Sequence, residues 1–445
     1  MELLRSKEIQ MTKYIKWLLL LSLYSVNTSL AEVLSLDLNK VVELAVERNE
    51  KSKIADYELE KAEVNYKEVR SNMFPTIDVG ISQQKSTQKP ALFSVITGDD
   101  PTTNKLFNNY TFGGNISVVQ PVYTFGRLSN AVDAAKHQSN LAKTSRKVTA
   151  ASIKSTVSQL YYNALFYKQI FEVSKESYQN TLSNQSSLEK RISFGRISQD
   201  ENLKMNADIY SRKPALIEAE RQYDNTLSQL KNFLNLQPSV ELKLEESLQD
   251  LVVKKSVNKD SELDSLAYVS LLKDELSLTQ SLESVAKADY YPTLSLVGSY
   301  GRTGFSEELF GDSFLIQDTT ALGLSLSWSF SIGGGITYAH QKSKIQTAIK
   351  RLEYENGKRD LDRGLKSLYA QEEKLSEKKD SLKKAVSLAD QSYKVSRRSF
   401  ANGSLSQTQL NDRELLLTNN KISYATNLLE ILMVRDQIKT YLTRK

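Results

Sequence analysis

The sequence predicts a mainly helical protein with a small β part, built from long antiparallel coiled-coil helices and four strands. Three observations carry this. The chain of 445 residues holds only 7 Pro and 17 Gly, too few punctuators for several small globular domains, so its elements are long and uninterrupted. One order of helix, strand, loop, strand and helix is written twice. Within each copy the apolar spacing switches from the 3.6-residue period of a helix to the 2-residue period of a strand and back.

Residues 1–31 read as a signal peptide. Lys13 and Lys16 supply positive charge, Trp17 to Tyr24 an apolar run, and Ser29-Leu30-Ala31 the small residues of a cleavage site. Met11 is an alternative start, since the ten residues before it add nothing to this signal. The apolar run of about eight to ten residues is too short to span a bilayer as a helix, and no later stretch reaches the ~18 apolar residues that spanning requires. If the mature chain enters a membrane, it does so as strands. The absence of Cys removes disulfides, thiolate catalysis and lipidation of an N-terminal Cys, and fits a periplasmic route. A net charge of +6 with interleaved signs describes solvated helices rather than a nucleic-acid surface.

The duplication has three landmarks. Phe74-Pro75-Thr76-Ile77-Asp78-Val79-Gly80 recurs as Tyr291-Pro292-Thr293-Leu294-Ser295-Leu296-Val297, and each copy follows a charged helical stretch. Gln120-Pro121-Val122-Tyr123-Thr124-Phe125-Gly126 corresponds to Ser327-Trp328-Ser329-Phe330-Ser331-Ile332-Gly333. Gly195-Arg196-Ile197-Ser198-Gln199 corresponds to Gly403-Ser404-Leu405-Ser406-Gln407. The repeats are accordingly 32–236 and 261–445, joined by a less regular linker at 237–260.

In 321–333, Leu322, Leu324, Leu326, Trp328, Phe330 and Ile332 alternate with Gly and Ser. Ile77, Val79 and Ile81 alternate with Asp78, Gly80 and Ser82, while Leu294, Leu296 and Tyr300, and Ile116 and Val118, repeat the pattern more weakly. Polar loops at 85–112 and 302–320 separate the strands of each pair. From 128 to 193 there is no Pro or Gly, and Ile153, Val157, Leu160, Ala164, Tyr167 and Phe171 follow a coiled-coil spacing, as do Leu361, Leu368, Leu375 and Leu382. Each long helix ends at a Gly turn, and return helices are expected at 199–235 and 406–442, the first kinked at Pro214.

Two strand pairs cannot close a barrel, and an open edge in lipid leaves backbone groups unsatisfied at several kcal/mol each. Membrane strands of this number require oligomerisation. Tyr123, Phe125, Trp328 and Phe330, with Tyr110, Phe112, Tyr290 and Tyr291, cluster at strand ends as an interfacial aromatic girdle does.

This duplicated layout, with its F/Y-P-T strand starts, the Q-P-V-Y-T-F-G-R strand exit and the paired Gly turns, resembles the TolC-type outer-membrane efflux and secretion channels over essentially the whole mature chain. The resemblance implies a homotrimer in the outer membrane of a Gram-negative cell. Four strands per protomer form a twelve-stranded transmembrane β-barrel, and the coiled-coil helices form a periplasmic α-barrel. It implies a passive exit duct without cofactor, serving a tripartite efflux pump or type I secretion system. Its partners are outer-membrane lipid, a periplasmic adaptor and an inner-membrane transporter of RND, ABC or MFS type. Carried over, Gly195, Arg196, Ile197 and Ser198 with Gly403, Ser404, Leu405 and Ser406 are adaptor-docking helix tips. The family pattern often places two acids after the second Gly turn, where they narrow the entrance. Here those positions hold Gln409 and Asp412, which implies a ring of three carboxylates in place of six. Asp200 and Glu201 stand at the corresponding place in the first copy.

Other readings share part of this pattern. A periplasmic adaptor also has a signal peptide and a coiled-coil hairpin, but lacks the long alternation and the full duplication. A soluble coiled-coil scaffold is separated from the channel by whether it partitions with outer membranes. Enzyme chemistry finds no support: His137 and His340 lack metal-ligand spacing and a nucleophile constellation, and no Lys-Ser/Thr follows Gly333-Gly334-Gly335 as a phosphate loop requires.

Overall fold

The computed structural model describes residues 33–85, 110–192, 199–254, 262–306, 309 and 314–444. The expected signal peptide and the docking candidates Gly195, Arg196, Ile197 and Ser198 lie outside the described residues. In the first repeat come β1 (Val33–Leu36), α1 (Leu38–Arg48), α2 (Glu50–Ser71), β2 (Thr76–Lys85), β3 (Tyr110–Tyr123), α3 (Arg127–Ile192) and α4 (Gln199–Phe233). After β4 (Glu241–Leu244) and α5 (Leu248–Lys254), the second repeat gives α6 (Ala267–Ala288), β5 (Thr293–Ser306), β6 (Phe314–Ser327), α7 (Gly335–Ala401) and α8 (Gln407–Tyr441). The duplication extends to length: α3 and α7 have 66 and 67 residues, and α4 and α8 have 35 each. At 1.5 Å per residue each long helix measures about 100 Å. α4 runs on through Pro214 as one helix. No helix among the described residues is long and apolar enough to cross a membrane.

The chain divides into two compact units. The first, a helical unit, takes residues up to Glu50, 152–257 and 368–439. Its main core holds Ile153, Val157 and Ala164 of α3, on the spacing that predicted a coiled coil, against Leu428, Ile431 and Leu432 of α8. β1 and β4 form a short parallel ladder, Val33↔Glu241 to Leu36↔Leu244, that adds Leu36, Leu242 and Leu244 to this core. The Tyr161 hydroxyl, fully buried, donates to the Leu36 carbonyl at 3.2 Å. Leu428 is 1% exposed, so Leu428→Ala is expected to cost about 2–5 kcal/mol, the transfer and cavity terms together. Chemical denaturation followed by circular dichroism checks this.

The second unit comprises residues 51–151, 258–367 and 440 onward. It contains one antiparallel sheet in the order β2-β3-β5-β6. α2 lies on α3 through Ala62 and the ion pairs Glu63–Lys143 (3.4 Å) and Asp56–Arg146. α6 lies on α7 through Lys350–Glu275 (2.9 Å) and the Thr347 hydroxyl on the Thr279 carbonyl, and the 3-10 turn before α6 adds Lys358–Asp264 (2.6 Å). Two strand limits differ from expectation. β5 and β6 consume much of the expected 302–320 loop as ladder, Thr303↔Gln317 and Arg302↔Asp318 included. β6 stops pairing at Ser327, although its alternation continues to Ile332, because β5 begins at Thr293 and offers no partner beyond it.

Candidate functional site

The sheet register decides which side chains share a face, because directly paired residues of adjacent strands point to the same side. Ile77, Val79 and Ile81 of β2 pair with Val118, Ile116 and Gly114 of β3. Ile116 and Val118 pair with Tyr300 and Gly298 of β5, and Gly298, Leu296 and Leu294 pair with Leu322, Leu324 and Leu326 of β6. These alternating apolar residues of all four strands therefore gather on one face, while the Val119–Val297 pair lies on the other. On the other face Asp78, Ser117, Ser299 and Ala321 form one row, and Gly80, Asn115, Gly301 and Thr319 the next. The apolar face is uncovered: Ile81 is 91% and Leu322 79% exposed. Among the described residues β2 and β6 are edge strands, each paired on one side only. Such a sheet is unfinished in water, where its edges and its apolar face both invite association.

The aromatic candidates meet where strands join helices. Tyr123 and Phe125 stand edge to face at 4.6 Å, and Phe125 stacks on Tyr291 at 5.1 Å. Trp328 lies 4.5 Å from Phe330, and its indole N–H donates to the Tyr290 carbonyl at 3.1 Å. Phe125 has a left-handed backbone (φ 49°), an unfavourable conformation for a bulky residue, and its ring contacts on both sides hold it there. His340 stands edge to face with Tyr290 at 5.6 Å.

At the tip between α7 and α8, Gly403 takes φ 82°. The Ser404 N–H donates to the Ser399 carbonyl and the Gly403 N–H to that of Phe400, both at 2.9 Å. This paired closure needs a left-handed residue, hence glycine. Ser406 then caps α8: its hydroxyl accepts from the Gln409 N–H at 3.4 Å, and the Gln409 side chain accepts from the Ser406 N–H at 3.2 Å. Gln409, one of the expected entrance residues, thus has its amide oxygen engaged in a capping box. Asp412 is exposed, on the side of α8 away from buried Gln407, Leu410 and Leu417. Asp200 accepts from Lys204 at 2.6 Å, one helical turn along α4. Glu201 is half-buried in the same turn. The structure brings Gly403, Ser404, Leu405, Ser406, Gln409 and Asp412 together at one tip, with Asp200 and Glu201 in the first turn of α4.

A polar cluster in this helical unit escaped the sequence reading. Glu414 is 1% exposed. Arg212 approaches its carboxylate at 3.5 Å, and also donates to Asp208 at 3.0 Å and to the Ser177 hydroxyl at 2.5 Å. Burial pushes the Glu414 carboxyl up to about 7, with Asp208 and Glu176 adding to the rise and Arg212 and the Ser177 hydroxyl opposing it. One signal was available: Glu414 sits between Leu410 and Leu417 on the inward spacing of α8, where an acid is out of place.

The family profile described as Outer membrane efflux protein matches residues 41–236 and 272–442. No curated protein matches the sequence. Among solved structures, the VceC outer membrane protein of Vibrio cholerae aligns with TM-score 0.76 at 15% identity, covering 92% of this chain and 96% of that one. The CmeC outer membrane channel of Campylobacter jejuni gives 0.73 at 18% identity over 91% and 85%. The open-state MtrE outer membrane channel of Neisseria gonorrhoeae gives 0.72 at 17% identity over 91% and 89%. These likenesses establish the fold, the profile match covers most of the sequence, and the sheet has the faces that a membrane strand set needs. The chain belongs to the outer membrane efflux protein family, and is a TolC-like channel located in the outer membrane and reaching into the periplasm.

Proposed function

We propose that three copies join edge to edge into a twelve-stranded barrel, with the apolar sheet face on lipid and the Ser/Gly/Asn face on a water-filled lumen. The observation that carries this reading is the sheet itself: four strands whose alternating apolar residues lie bare on one face, with two open edges among the described residues. Only closure satisfies those edges inside a hydrocarbon layer, and family membership supports three as the copy number. In this reading Tyr123, Phe125, Trp328 and Phe330 form the periplasmic aromatic belt. The tip at 403–406, together with the candidate docking segment 195–198, receives a periplasmic adaptor, which joins the duct to an inner-membrane transporter of RND, ABC or MFS type. The duct is passive, and the transporter sets the cargo, small molecule or protein.

Three copies of Asp412 would ring the periplasmic entrance, with Gln409 fixed in its cap as a neutral neighbour. A ring of carboxylates in a narrow pore binds cations and favours their passage. Asp412→Ala is expected to weaken cation selectivity and cation block in single-channel recordings. Asp200→Ala is expected to leave both unchanged, since Asp200 is held by Lys204. Identical selectivity in wild type and Asp412→Ala would remove Asp412 from the pore.

A further inference from the structure

The sheet face assigned to lipid in the barrel reading above carries one ion pair. Strand pairing links Ile81 to Gly114, Gly114 to Arg302 and Arg302 to Asp318 across all four strands. Arg302 and Asp318 therefore share the side that holds Leu322 and Leu324. Their side chains are exposed, at 61 and 53%. Arg302 Nε lies 3.4 Å from Asp318 Oδ1, and the Tyr300 hydroxyl donates to the same oxygen at 3.3 Å.

A cation on the lipid face of a barrel costs most at the midplane and little near the interfaces, so the level of this pair decides its meaning. Trp328, in the aromatic cluster at the helix end of the sheet, stands ten positions along the chain from Asp318. Ten extended residues reach about 33 Å. At a strand tilt of about 40° that is a rise of about 25 Å, the height of the apolar band of a membrane barrel. Side chains on the same face change character at this level. Leu326, Leu324 and Leu322 are followed by Thr320 beside Tyr300, and then by the pair itself. Beyond it come Gln83, Phe112 and Ile316 in one row, and Lys85 and Tyr110 in the next, with the Lys85 ammonium over the Tyr110 ring at 5.5 Å. Aromatic rings mixed with cations belong at the edge of a membrane, not in its interior.

We infer that Arg302 binds a phosphate of lipid A, the phosphorylated glycolipid of the outer leaflet, at the outer rim of the barrel. A guanidinium offers five N–H donors in a planar fork that matches phosphate oxygens. A carboxylate takes at most two of them face to face, so Arg302 can hold Asp318 and a second anion together. Asp318 is then the internal anion against which lipid competes. The site rests on the barrel reading, because only a sheet with this face in lipid brings phosphate to that level.

Two measurements on the mature protein test this. The chain has no cysteine, so Leu322→Cys, Thr320→Cys and Ile316→Cys each carry one nitroxide label, in vesicles of phosphatidylethanolamine and lipid A. Labels at 322 and 320 are expected to collide mainly with oxygen, and the label at 316 with a water-soluble nickel chelate. In native mass spectrometry, Arg302→Gln is expected to retain lipid A about fivefold less than wild type, the attraction of one surface cation. Asp318→Asn, which removes the competing carboxylate, is expected to retain it at least as well as wild type. Dephosphorylated lipid A is expected to bind all three proteins equally. A loss from Asp318→Asn as well would mark the pair as purely structural and overturn the site. So would unchanged retention by Arg302→Gln, a loss that extends to the dephosphorylated lipid, or a label at 316 as oxygen-exposed as that at 322. Each of these leaves the barrel standing. A label at 322 as open to the chelate as that at 316 overturns the lipid-facing barrel, and the site with it.

Discussion

Leu324→Arg is expected to prevent stable assembly in the outer membrane, whereas Ser325→Thr is expected to be tolerated. Leu324 lies on the apolar face between Leu322 and Leu326, four residues inside the Trp328 aromatic cluster and paired with Leu296, and Ser325 points to the opposite face, paired with Ser295. A cation at the midplane of a membrane barrel costs about 2–4 kcal/mol, and a trimer would meet that cost three times. On the polar face a small hydroxylated side chain keeps both its solvation and its β preference. Heat-modifiable mobility of the membrane-extracted protein, compared among wild type and both variants, reads the effect. Equal trimer yield from Leu324→Arg would place the apolar face somewhere other than lipid.

Arg212→Met is expected to destabilise the helical unit by about 3–5 kcal/mol at pH 8, because it strands a buried carboxylate without its cation. The loss is expected to be smaller at pH 5, where Glu414 is protonated. The sign follows from linkage. The folded carboxyl titrates at about 7, above its ordinary value of 4.5, so between those values the folded protein holds a proton that the unfolded chain has released. Stability contributed by this group therefore falls as pH rises from about 4.5 to about 7, by up to ~3 kcal/mol, and is level above. Glu414→Gln is expected to flatten that part of the profile, and Arg212→Met/Glu414→Leu to recover most of the loss, as replacement of a whole buried pair often does. Thermal melts at pH 5 and pH 8 of the four proteins measure all of this. A loss from Arg212→Met that is the same at both pH values would remove Glu414 as its cause.

Most of the architecture was legible because its signals are local and repeated. The 66- and 67-residue helices declared themselves through absent Pro and Gly and through heptads such as Ile153–Val157–Ala164, which the core buries. The strands showed through alternation. What stayed hidden depends on partners distant in sequence. β1 and β4 are four residues each and pair across about two hundred positions, too short for periodicity to register. The end of β6 at Ser327 is set by where β5 starts, although the alternation runs on to Ile332. At the tip, the Gly403 turn was legible from glycine chemistry, and Ser406-Gln407-Thr408-Gln409 spells a capping box that explains Gln409 locally. Glu414 differs in kind. Its meaning comes from Arg212 on α4 and Ser177 on α3, which only folding brings to it.

The most direct measurement is the mass and conductance of the purified mature protein in detergent and in planar lipid bilayers. The account predicts a trimer that inserts to give discrete, cation-blockable single-channel steps. A stable, water-soluble monomer with no conductance would contradict it.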